Sequence, residues 1–187
     1  MEDEAVFCVD MAKEKMDKAI YHLEDELMRI RAGKATPNVL DGVSVDYYGA
    51  ITPISQVSNI GTPDAKTIVI QPWDKNMLGA IEKAILYANI GLTPMNNGEL
   101  IRLNIPPLTE ERRRNLVKQV KAMGENTRVS VRNARRDANE ELKKLQKEGL
   151  AEDIEKESQE KVQKLTDDYI KKVDVIVAGK EKDIMTV

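Results

Sequence analysis

Leu116, Val120, Met123, Thr127, Val131, Ala134, Ala138, Leu142 and Leu145 recur every three or four residues, and no proline interrupts them. That spacing predicts one unbroken helix over 109–147, about 58 Å long at 1.5 Å per residue. Thr109 serves as its N-cap, with Glu110 and Glu111 favourable in the first turn. A stripe of this length cannot bury itself, so it demands partner helices. Residues 2–31 supply one, with Val9, Ala12, Met16, Ala19 or Ile20, Leu23, Leu27 and Ile30 on one face; Gly33 and Pro37 end it. Gly149 breaks the long helix, and a third follows with Ile154, Val162, Leu165, Tyr169, Val173 and Ile176 in register. Three such helices pack as a bundle.

Residues 34–107 have a different character, and all seven prolines lie among them. Gly42–Tyr48 alternates with the period of a strand, and Val57–Ile60 and Thr67–Ile70 are further strand candidates. Asp74 caps a helix over 75–88, with Met77, Ile81, Ala84 and Ile85 on one face. Asn96-Asn97-Gly98 reads as a turn before a strand over Leu100–Ile105. The expected fold class is α+β: a long three-helix bundle from residues 1–31 and 107–187, with a small β/α/β domain, 32–106, inserted into it. The chain crosses between them only at Ala32-Gly33-Lys34 and Ile105-Pro106-Pro107, which are the candidate hinge. The expected outline is an L, a rod with a globular foot.

Several function classes drop out. Cys8 and His22 are the only cysteine and histidine. They cannot build a zinc site, and on one helix they sit about 21 Å apart, too far for a nucleophile pair. Gly33-Lys34 and Gly179-Lys180 lack the other parts of a phosphate-cradling loop. The carboxylates interleave with lysines, as on solvated helix faces. No catalytic residue, metal or cofactor is expected. No apolar run approaches the roughly 20 residues that span a bilayer, and the acidic start Met1-Glu2-Asp3-Glu4 resembles no leader peptide. A cytoplasmic protein with no membrane partner is expected.

One charge asymmetry stands out in a chain of net charge −3: residues 112–136 hold seven of the ten arginines, and nine basic residues against the single acid Glu125. On a helical projection Arg114, Lys118, Lys121, Arg128, Arg132, Arg135 and Arg136 share an arc of about 100°, turned away from the apolar stripe. An ordinary charged surface predicts mixed signs. Here Arg128/Arg132, Arg132/Arg135 and Arg132/Arg136 are like-charge neighbours, each unfavourable by a few tenths of a kcal/mol. That pattern favours an anionic partner. Arginine forks onto phosphate bidentately, and no aromatic residue interleaves the arc to stack single-stranded bases, so structured RNA fits best. Arg29 and Arg31 form a second candidate patch near the domain junction, or simply favour a helix C-terminus. Two rivals stay open: a coiled-coil protein whose basic stripe binds an acidic protein, and a general double-stranded RNA binder.

Arg128-Val-Ser-Val-Arg-Asn-Ala-Arg-Arg-Asp-Ala-Asn139, Arg29-Ile-Arg-Ala-Gly-Lys-Ala-Thr-Pro37, Leu40-Asp-Gly-Val-Ser-Val-Asp-Tyr-Tyr-Gly49, Pro106-Pro-Leu-Thr-Glu-Glu-Arg-Arg113 and Gln163-Lys-Leu-Thr-Asp167 closely resemble the ribosome recycling factor family. The resemblance covers essentially the whole chain, and the absence of a transit peptide points to a bacterial member. It implies a monomer shaped like transfer RNA that hydrolyses nothing itself. Such a factor docks on large-subunit ribosomal RNA after peptide release. With elongation factor G and GTP, it separates the ribosome into subunits. It also implies Arg132 as the leading RNA contact, with Arg128, Arg135, Arg136, Arg29 and Arg31 as companions, and the projection adds Lys118 and Lys121. Lys34 and Thr36 stand where arginine and serine are common in the family; charge and hydroxyl are kept.

Overall fold

In the computed structural model, which describes residues 1–186, the long stripe is one helix, α4, over Glu110–Lys147. It packs with α1 (Glu2–Met28) and α5 (Glu152–Met185). Ala5, Cys8 and Ala12 of α1 meet Ala138, Leu142 and Leu145 of α4 and Val162 of α5 in one apolar cluster. Met16, Val131, Ala134 and Tyr169 form another. The Tyr169 hydroxyl donates to the Asp17 carboxylate, tying α5 to α1. Burial first, and this bond second, push the Tyr169 pKa up to about 12. The α4–α5 turn is a Schellman cap: Gly149 (φ +119°) sits at the left-handed position, Gly149 N–H donates to Gln146 and Leu150 N–H to Leu145. Leu150 is buried in the same cluster as Leu145.

The buried stripes differ from the expected ones in several places: Val9, Ile154 and Leu165 are half-buried beside the buried Cys8, Glu155 and Thr166, and two further differences are coupled. Gly124, not Met123, is buried on α4, and Val177, not Ile176, on α5. The two differences are one contact. A Cβ on Gly124 would lie 2.6 Å from Val177 Cγ2, so the missing side chain is what lets α5 approach. The polar residues on the buried faces satisfy themselves locally: Thr127 Oγ1 donates to the Met123 carbonyl (3.0 Å) and Thr166 Oγ1 to that of Val162 (2.8 Å).

The inserted segment carries more strands than the sequence pattern suggests. β1 (Ser44–Tyr47) and β2 (Ala50–Pro53) make a hairpin, and Ile54–Val57 a single helical turn, α2. β3 (Ser58–Asp64), β4 (Thr67–Pro72), β5 (Pro94–Asn96) and β6 (Ile101–Asn104) form an antiparallel sheet in the order β3-β4-β6-β5. Register pairs Ile68 with Leu103 and Ile70 with Ile101, all fully buried. α3 (Leu78–Ala88) covers that face with Leu78, Ile81 and Ile85. The Asp74 carboxylate does cap the chain here, accepting from Asn76 N–H at 2.9 Å, but the first turn it caps is a 3-10 turn over Lys75–Met77.

By contacts the chain divides into two units: Met1–Ile30 with the chain from Glu111 onward, and Arg31–Glu110. Within the second unit Arg31 donates from Nη1 to the Ile90 carbonyl (2.6 Å), and Gly33 packs on Leu108, which brings the two ends of the segment together.

Gly124→Ala tests the close approach of α4 and α5. The new methyl overpacks the interface by about 1–3 kcal/mol, against a helix-propensity gain of at most about 1 kcal/mol. A net loss of stability is expected in urea titration, and Val177→Ala should be less damaging in the Gly124→Ala background than alone.

Candidate nucleic-acid interface

α4 positions the basic arc because its opposite face is committed to the bundle core. Lys118, Lys121, Arg132 and Arg136 are exposed, while Arg128 and Arg135 are half-buried. The side chains are not equivalent. Arg128 is drawn into the protein: its Nε and Nη2 both donate to Asp174 Oδ1 on α5, at 3.0 and 2.7 Å, and its Nη1 to Glu125 Oε2 at 3.2 Å. Its side chain is 21% exposed. Both carboxylates hold the Arg128 guanidinium above its usual pKa, the Asp174 hydrogen bonds first.

Glu125 does double duty. Its other oxygen, Oε1, accepts from Arg132 Nη1 at 3.2 Å, so one carboxylate bridges the two guanidiniums of the like-charge pair. Hydrogen bonds from Arg132 and then Arg128 lower its pKa. Arg132 is 46% exposed, and its remaining donors have no partner among the described residues. Arg135 Nη1 donates to Gln163 Oε1 of α5 at 3.3 Å. Lys118, Lys121 and Arg136 have no ion-pair partner among the described residues. Arg132, Arg135 and Arg136 line a shallow polar cleft of about 440 Å³ with Asn133, Lys143 and Gln163.

The junction residues fall apart. Arg29, on the first unit, pairs with Asp25 at 2.9 Å, whereas Arg31 belongs to the second. Ala35 N–H donates to the Ala65 carbonyl and Ile105 N–H to that of Lys66, each at 2.7 Å, so both connecting segments are pinned to the same β3–β4 turn. Gly33 has φ +72°, and a Cβ there would lie 2.8 Å from Leu108 Cγ.

A roomier cleft, about 720 Å³, lies elsewhere, between α1 and α4. Glu4, Asp137, Glu140 and Glu141 outnumber Lys15 and Lys144 along it, which disfavours an anion. Cys8 lines it, its thiol pKa raised mainly by burial. His22 is exposed and faces Glu26 at 3.1 Å. Among the described residues no cluster of His, Cys, Asp and Glu could hold a metal ion, and no helix is long and apolar enough to cross a membrane.

Asp174, Gln163 and Lys143 are the site residues that sequence reasoning did not single out. Asp174 and Gln163 lie on α5, and their contact with α4 depends on how the helices pack. The one available signal is that Asp174 follows the buried Val173, which puts it at the edge of the α5 stripe.

A family model described as ribosome recycling factor matches residues 23–185. The chain is 57% identical over 187 residues to the ribosome-recycling factor of Flavobacterium johnsoniae, with all of both chains covered. It is 57% identical over 180 residues to that of Bacteroides thetaiotaomicron, covering 96% of this chain and 97% of the relative. Among solved structures, a solution structure of the ribosome recycling factor is similar at TM-score 0.80 and 41% identity, with 98% of each chain covered. A second, at TM-score 0.64 and 43% identity over 97% of this chain and 99% of the other, is the T. thermophilus ribosome recycling factor, described with E. coli elongation factor G bound to the E. coli post-termination complex.

The unequal anchoring of the arginines predicts unequal effects on stability. Arg128→Ala should lower the unfolding free energy by about 1 kcal/mol, because it removes packed methylenes and the bridge from Glu125 to Asp174. Arg132→Ala should change it by less than about 0.5 kcal/mol. Urea midpoints of the two variants measure the difference.

Proposed function

The chain belongs to the ribosome recycling factor family, and on that premise we propose that the outward face of α4 is where it binds the large-subunit ribosomal RNA of the post-termination ribosome. The protein is a translation factor, not an enzyme, and works on that ribosome with elongation factor G. Family membership excludes the acidic-protein adaptor and the general duplex binder as its main role. We propose that it binds, then promotes dissociation into subunits when elongation factor G hydrolyses GTP. As a bacterial translation factor it works in the cytoplasm.

The observation that carries the RNA reading is the asymmetry within the arc. Arg132 ends a chain of fixed charges with free donors pointing to solvent, and Arg136, Lys118 and Lys121 make no ion pair among the described residues. Phosphates supply the missing anions, and guanidinium groups bind them bidentately. Arg128, engaged by Asp174 and Glu125, is read as a support of Arg132 rather than as a direct contact. Arg135, half-engaged with Gln163, sits between these roles. Arg29 and Arg31 already have protein partners, which makes them secondary.

The second part of the proposal concerns motion. Only two segments join the units, and inside the second unit each is pinned to the β3–β4 turn, at Ala35 and Ile105. That leaves Arg31–Lys34 and Pro106–Glu110 to absorb a change of angle. Ala32, Gly33 and Lys34 provide the bend and Pro106 and Pro107 the stiffness, since proline fixes φ. The joint can then transmit a push rather than dissipate it. Gly33 itself admits no side chain without strain, because its φ is positive and Leu108 fills the space.

Arg132→Ala should weaken binding to purified large subunits by about 1.5–3 kcal/mol, the worth of a charged hydrogen bond, with melting unchanged. If four or five phosphates are met, log affinity should fall with log salt at a slope of about −3 to −4. Salt-insensitive binding would sink the RNA reading. In a splitting assay on post-termination ribosomes, omitting either this protein or elongation factor G should abolish dissociation. Replacing Pro106 and Pro107 together by glycine should leave subunit affinity within about twofold and slow splitting, because the replacement adds backbone freedom without touching the arc. Normal splitting by that variant would remove stiffness from the mechanism.

A further inference from the structure

Glu125 is out of place in a surface built to meet phosphate. It is the single acid in residues 112–136, it shares the arc of the cations, and its own charge repels RNA. Its carboxylate nevertheless makes both of the bonds open to it there, with Oε1 to Arg132 Nη1 and Oε2 to Arg128 Nη1, each at 3.2 Å. Arg128 is in turn held from the far side by Asp174 of α5, through two donors on one oxygen. The result is an alternating row, Asp174–Arg128–Glu125–Arg132, that begins on α5 and ends in solvent at the guanidinium assigned to RNA.

We propose that Glu125, backed by Asp174, is a positioning residue that sets the specificity of the RNA contact. It fixes the direction of the Arg132 guanidinium and at the same time penalises any RNA whose phosphates do not match that direction. The inference rests on the reading of α4 as the RNA-binding face.

The physical case has two sides. A free arginine on a helix surface samples many rotamers and must lose that freedom when it binds; one held beforehand has lost it already. Arg128 and Arg132 also lie four residues apart and repel each other, and a carboxylate shared between them turns that repulsion into attraction. Against this, a negative charge within the arc weakens attraction to every polyanion, matched or not. Matched RNA regains the loss through the ordered fork, and unmatched RNA does not. Glu125 therefore lowers general affinity and preserves specific affinity, which is how a charged surface discriminates between two ligands of the same charge.

The two sides predict opposite signs for one substitution. Glu125→Gln keeps the shape and removes the charge, and the side chain is 56% exposed, so folding is expected to survive. Full-length wild type, Glu125→Gln and Asp174→Asn are titrated with purified large ribosomal subunits and with an unrelated RNA duplex at one salt concentration. Glu125→Gln should bind the duplex about twofold tighter and the subunit about fivefold weaker, a tenfold loss of discrimination. Asp174→Asn should move the ratio the same way by less, because it acts through Arg128. If both affinities rise together in Glu125→Gln, the acid is only a brake on charge and the positioning role is wrong.

A second readout needs no RNA. ¹⁵N relaxation of the arginine Nε–H groups should show Arg132 ordered in the wild type and mobile in Glu125→Gln. Equal mobility in the two overturns the proposal even if the affinities change. A wild-type chain with no preference for subunits over duplex would instead defeat the functional reading itself, and it appears in the first titration, before any variant is compared.

Discussion

Burial of one long stripe fixes everything on α4 that faces solvent. Leu116 to Leu145 are committed to α1 and α5, so the helix cannot rotate about its axis without exposing that stripe. At about 0.8 kcal/mol per buried methylene, the apolar side outweighs any preference of the charged side by a wide margin. The cations opposite are therefore presented as a rigid array whose spacing is that of the helix itself. A rigid array suits a partner with regularly placed phosphates, because little order has to be created on binding. The Schellman cap at Gly149 and the Tyr169–Asp17 bond serve the same end, holding α5 against the other two helices.

The packing of α4 on α5 also decides which cations are available. Where Gly124 lets Val177 approach, Asp174 comes within reach of Arg128. The close approach and the ion pair lie one helical turn apart on both helices, so a feature of the core tunes a feature of the surface. Arg128 and Arg132 are both arginines four residues apart in a basic segment. One spends its donors inside the protein, and the other keeps them.

The inserted unit obeys a different economy. Its core is made by isoleucines and leucines on alternate positions of β4 and β6 under α3, and its hydrogen bonds pin both connecting segments to one turn. The segments that enter and leave the unit are thus anchored before the first strand and after the last. Residues 31–110 carry six Lys and Arg against seven Asp and Glu, so the segment as a whole offers no excess of positive charge to phosphate.

Period alone made the three long helices legible, since a 3.6-residue repeat of apolar side chains has only one way to be buried. The basic arc followed from the same projection, and the motifs around Arg29–Pro37 and Arg128–Asn139 were specific enough to point to the family. The β1–β2 hairpin was legible only in half. Its turn is Tyr48-Gly49, with Tyr48 at φ +48° steadied by a 2.9 Å bond to Asp74, where a local rule looks for asparagine-glycine. β5 is three residues long and begins with proline, too short for any period to show. Gly124 broke the stripe for a similar reason: a residue with no side chain carries no hydropathy signal, yet it is where α5 comes close to α4. The sequence by itself determined which faces are apolar and which are basic, because those are properties of one helix at a time. Only the tertiary structure decided that Asp174, on another helix, pairs with Arg128 while Arg132 stays half exposed. An ion pair between two helices depends on their separation and rotation, and no single helix encodes either.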